Sequence, residues 1–88
     1  MKFKKKAEQL GDLVEEKNAA YGNSFEESEK IMRVLYPNGI TPDQYKDALA
    51  MIRVIDKQFR IANKKEAFGE NPWNDIAGYG ILMSADEN

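Results

Sequence analysis

The chain contains no cysteine and no histidine. Disulfides, thiolate zinc sites, Cys–His and Ser–His nucleophile systems and imidazole acid–base chemistry are therefore excluded. Any catalysis must use carboxylates, lysine, tyrosine or a hard cation such as Mg²⁺ held by oxygen. No apolar run approaches the length of a membrane span, and no signal peptide is read at the start. One strong charge sign is also missing, since 13 basic residues stand against 15 acidic ones, a net charge of −2. That balance argues against a general nucleic-acid coat. A reducing cytoplasm is the simplest compartment.

What remains is a short chain of ordinary globular composition. Eighty-eight residues with 42% hydrophobic content fit one small helical domain. Its core is expected to be modest and completed by self-association, so a homo-oligomer is expected.

The longest periodic stretch is Thr41–Asn63, opened by Thr41-Pro42-Asp43-Gln44. Threonine is a good N-cap, proline suits the first helical position, and Gln44 can close a capping box. Behind it Tyr45, Ala48, Leu49, Ile52, Ile55, Phe59 and Ala62 recur at three- and four-residue steps. They fall within an arc about 140° wide, the stripe of an amphipathic helix, with Phe59 expected to be a core residue. Asp56 projects from inside that arc, bordered by Arg53 and Arg60. An unpaired buried carboxylate is expensive, so Asp56 is expected to hold an arginine, a metal or a ligand. An Arg53–Asp56–Arg60 ion network and a polar cleft are both compatible with this pattern.

Three further helices are expected, giving an all-α, compact four-helix fold with spans near 5–20, 24–36, 42–63 and 72–84. Residues 1–5 and 85–88 read as frayed tails. Lysines at positions 2, 4, 5 and 6 oppose the helix macrodipole and favour fraying over an anion-steering arm. The first helix carries Leu10, Leu13, Val14, Ala20 and Tyr21 on one face, with Lys17 among them. Gly22 and Asn23 suit a left-handed helix stop, and Ser24 with Glu27 reads as a second capping box. Phe25, Ile31, Met32, Leu35 and Tyr36 point inward from the second helix, which Pro37-Asn38-Gly39 ends. Lys64-Lys65-Glu66 and the anchor Phe68 form a connection. Asn71-Pro72 opens the last helix, with Trp73, Ile76, Ala77, Gly80 and Met83 on one face and Asp75, Tyr79 and Leu82 on another. Gly78 and Gly80 are expected to admit close backbone neighbours. The apolar residues spread round this helix place it in or near the expected homo-oligomer interface.

Three segments together resemble a known group: KNAAYGNSF at 17–25, RVIDKQFRI at 53–61 and WNDIAGYGIL at 73–82. They are similar to the phage and prophage nucleotide modification associated domain family, commonly grouped with MazG-like all-α nucleotide pyrophosphohydrolases. The resemblance spans about Leu10 to Leu82 and implies a nucleotide-handling helical protein. In a nucleotide-binding reading Lys17, Arg53 and Arg60 would meet phosphates, Tyr21 or Tyr79 would stack on a base, and Asn18 and Asn23 would supply hydrogen bonds. Asp56 and Asp75 complete the set. MazG-like enzymes hold Mg²⁺ on acidic helix motifs, and the nearest carboxylates here are Glu16, Asp56 and Asp75. Arg53 stands where an acid of such a motif would be, which favours direct phosphate binding. The expected function is binding of a nucleotide or nucleotide-derived signal, sequestering a host defence messenger or regulating nucleotide metabolism. A Mg²⁺-dependent nucleoside triphosphate pyrophosphohydrolase and a protein-binding adaptor are the alternatives.

Overall fold

The computed structural model describes residues 1–64 and 69–86. Four α-helices account for most of them: α1 (Lys2–Ala20), α2 (Ser24–Leu35), α3 (Tyr45–Lys64) and α4 (Pro72–Asp86). There is no strand among the described residues. The expected anchor Phe68, the Lys65-Glu66 part of its connection and the last two residues lie outside them. No helix among the described residues is long and apolar enough to cross a membrane.

Local sequence sets the helix ends. Thr41 and Gln44 form the expected capping box, with the Thr41 amide donating to Gln44 Oε1 at 3.0 Å. The cap opens on a single 3-10 turn, Pro42–Gln44, before α3 proper begins. Asn71 caps α4 through its side chain, accepting from the Trp73 amide at 3.1 Å, and Pro72 behind it is fully buried. Between α1 and α2, Gly22 and Asn23 both take positive φ, 67° and 58°. The Asn23 amide bonds back to the Asn18 carbonyl at 3.0 Å, closing the end of α1.

The Ser24–Glu27 capping box does not form. Asn23, in the left-handed region, is the N-cap, and Ser24 is already helical. Its hydroxyl is drawn instead to Asp56 of α3. At the other end, α1 begins at Lys2 instead of fraying to residue 5.

α3 is the central element, packed by α2 and α4 and met by α1. Its stripe is only partly covered. Ala48 and Ile55 are buried, and Phe59 is half-buried and not the core residue expected. Leu49, Ile52, Tyr45 and Ala62 are exposed, because α2 and α4 clasp α3 without meeting over that side. α2 turns Ile31, Met32 and Tyr36 partly inward, while Phe25, in its first turn, is 90% exposed. Leu35 is exposed as well. On α4 the inward line is Ile76, Tyr79 and Met83, which mixes the two expected faces. Trp73, Ala77, Gly80 and Leu82 lie exposed, and a Cβ on Gly78 or Gly80 would meet nothing within 4 Å, so neither serves close packing.

α1 departs most from a packed bundle. It buries no residue, and positions 1–19 are all exposed. The radius of gyration is 15.9 Å and the long dimension 52 Å, where a compact chain of this length would give about 12 Å.

Two substitutions test this arrangement. Ile55→Ala should cost about 2–4 kcal/mol in urea unfolding, the usual loss for a buried isoleucine, whereas Ile52→Ala should cost far less. Gly22→Ala should cost at least about 1 kcal/mol, since an L-residue is strained at positive φ. A Cβ there would also strike the Asn63 side chain.

Candidate functional site

A cleft of about 680 Å³ opens where α2, α3 and α4 diverge. Ser24, Phe25, Ser28 and Met32 form its α2 wall, Leu49, Ile52, Arg53, Asp56 and Lys57 its α3 floor, and Tyr79 its α4 side. The walls are mainly apolar. The residues that make α3's stripe incomplete as core are thus the residues that make this hollow.

Several of the polar groups in it have side-chain partners. Asp56 Oδ1 accepts from Ser24 Oγ at 3.4 Å, at the positive end of α2. Lys57 Nζ pairs with Asp75 at 3.1 Å. Glu29, on the rim, is held by Arg33 at 2.8 Å. Arg53 has no carboxylate partner among the described residues. Its Nη1 lies 3.5 Å from the Tyr79 hydroxyl, contributed by a helix 26 residues on.

Asp56 is therefore not the hub of an Arg53–Asp56–Arg60 network. Arg60 sits one turn further along α3, where it is almost wholly buried. Its Nη2 lies 2.5 Å from Glu70 Oε2, and its guanidinium lies 5.2 Å from the centre of the Tyr21 ring. That distance suits a cation–π contact. The bond to Glu70 is not well directed, since Arg60 Nε and Nη2 both lack a hydrogen-bond acceptor in good geometry. The helical turn between Asp56 and Arg60 is what separates them: one meets the start of α2, the other the α1–α2 corner.

The sequence-derived residues thus divide. Arg53, Asp56 and Tyr79 line the cleft, and Asp75 adjoins it through Lys57. Tyr21 and Arg60 meet at the corner instead. Lys17 and Asn18 lend that corner their backbone carbonyls, and the Asn23 side chain donates to Glu26 at 3.4 Å. None of these corner residues lines the cleft. Glu16 is exposed on α1, and Glu16, Asp56 and Asp75 are not gathered, since no group of three such ligands occurs among the described residues. The carboxylate set does not fit a Mg²⁺ centre.

Lys57 and Glu70 were missed from sequence. Lys57 follows Asp56 directly, and its ion pair with a residue 18 positions on leaves no spacing signal. Glu70 precedes the Asn71-Pro72 cap, in a stretch that reads as connection. A second, smaller hollow of about 480 Å³ lies between Tyr36, Met51, Val54, Ile76 and Met83, with Tyr79 common to both.

Comparison with protein-family models, curated proteins and solved structures returned no match.

The two polar arrangements predict different costs. Asp56→Asn keeps an acceptor for Ser24 and should lower stability by less than about 1 kcal/mol, the scale of one neutral hydrogen bond. Glu70→Gln leaves the buried Arg60 guanidinium without its counter-charge. Because Glu70 is 56% exposed, solvent screening should hold that loss to about 1–2 kcal/mol, well under a fully buried pair. Chemical denaturation of both variants checks the ranking.

Proposed function

We propose that this protein binds a nucleotide or nucleotide-derived small molecule in the cleft between α2, α3 and α4, without transforming it. The observation that carries this reading is Arg53, without a carboxylate partner among the described residues, beside Tyr79 in a hollow whose walls are mainly apolar. A guanidinium offers paired donors to phosphate oxygens. The Tyr79 ring and the Ile52, Leu49 and Met32 side chains suit the flat apolar face of a base. A volume of about 680 Å³ lies within the range of small-molecule sites. Asp56, occupying the start of α2, fixes the α3 turn from which Arg53 projects.

The resemblance to the nucleotide modification associated domain family supports the same ligand class. On it rests the phage-type role, the sequestering of a host defence messenger or the regulation of nucleotide metabolism. The pyrophosphohydrolase alternative is weakened by the scattering of Glu16, Asp56 and Asp75. The adaptor reading draws on the exposed apolar side chains, Phe25 among them.

Incubation with a nucleotide panel and Mg²⁺, followed by analysis of products and retained ligand, tests the proposal. Intact ligand released from heat-denatured protein is the expected result, and liberated pyrophosphate would replace binding by hydrolysis. In titration calorimetry Arg53→Ala should weaken affinity at least about tenfold, the loss of one charge-assisted phosphate contact. Asp56→Asn should weaken it less. Unchanged affinity in Arg53→Ala would move the site elsewhere.

A further inference from the structure

We propose that the second hollow, between Tyr36, Met51 and Met83, binds a small apolar organic cation of the aryl- or alkylammonium class. Its volume of about 480 Å³ lies within the range of small-molecule sites. It is built from residues one helical turn apart. Asp47 and Met51 share a face of α3, and Tyr79 and Met83 share a face of α4. Tyr36, which follows α2, supplies the third side.

Charge decides the occupant. Among the described residues Asp47 is the one charged group lining this hollow, and no basic residue lines it. Asp47 makes no salt bridge to another described residue. Its place in the first turn of α3 complements the helix dipole, so its charge is held there with or without a ligand. The other walls are soft and electron-rich. Tyr36 and Tyr79 supply aromatic rings, the groups on which organic ammonium ions are recognised. Met51 and Met83 add polarisable thioethers. A metal ion does not fit, since Asp47 stands alone and no group of three such ligands occurs among the described residues. An anion would meet Asp47 with no cation to balance it, and a neutral molecule would gain nothing from its charge. The polarity is the reverse of that in the cleft, where Arg53 is the group without a carboxylate partner among the described residues. Tyr79 is the one lining residue the two hollows share, so this site does not rest on the nucleotide reading.

Benzyltrimethylammonium and benzenesulfonate, similar in size and opposite in charge, are the probes. In an NMR titration the cation should shift the Met51 and Met83 methyl signals saturably, with a Kd of about 1 mM or below. Benzenesulfonate should bind at least about tenfold more weakly. Asp47→Asn, a change at an exposed position, should erase that preference and leave the fold intact. Gly80→Leu should fill the hollow and abolish binding. A Cβ at that position meets nothing within 4 Å, and leucine favours helix. Lost binding there would not be lost folding, and circular dichroism confirms helix content. The absence of a saturable shift up to about 10 mM would overturn the proposal. So would equal affinity for the two probes, a preference that survives Asp47→Asn, or shifts centred on Met32 in the cleft.

Discussion

The scarcity of buried apolar surface governs this molecule. Among the described residues Ala48 and Ile55 are the buried hydrophobic side chains, joined by Pro72. A chain of this size has little margin between burial and conformational entropy. α3 resolves that by serving every neighbour at once: α2 on one side, α4 on another, α1 at its far end. The same economy explains the cleft. Two short helices can clasp a longer one without closing over its whole stripe, and Leu49 and Ile52 remain to floor a hollow.

Polar groups finish what the thin core leaves undone. Arg60 is nearly inaccessible, yet it is held by an aromatic ring from the end of α1 and a carboxylate that precedes α4. Lys57 and Asp75 tie α3 to α4, and Ser24 and Asp56 tie it to α2. These are interhelical contacts between named side chains, and they fix how the helices are aimed. Pairs with one exposed partner contribute little in water, so their worth here lies in geometry more than in free energy.

Much of the fold was legible in the sequence. The Thr41–Gln44 box, the Gly22-Asn23 reversal and the Asn71-Pro72 start are local, and local chemistry is written in adjacent letters. Periodicity located α3 as the organising helix. It could not say which parts of the stripe would be covered, because that depends on where α2 and α4 land, and so Phe59, Leu49 and Phe25 are less buried than their spacing suggests. The site was legible in part for the same reason. Arg53, Asp56 and Tyr79 do meet at one cleft, but a wheel drawn down α3 placed Arg60 with them, when a neighbouring helix and Glu70 hold it elsewhere.

The sequence of contacts along the chain carries a kinetic consequence. Among the described residues α3 packs mainly against α2 and α4, its neighbours along the chain, and more lightly against α1, which reaches past an intervening helix. Mainly local connectivity of this kind closes small loops and so folds quickly, with little search. It also means that opening is graded. With no buried residue of its own, α1 can loosen while the α2–α3–α4 clasp persists, whereas displacing α3 removes the surface on which all the others rest. Amide protons of Ile55 and its neighbours are then the slowest to exchange with solvent, and those of the first turns of α1 among the fastest.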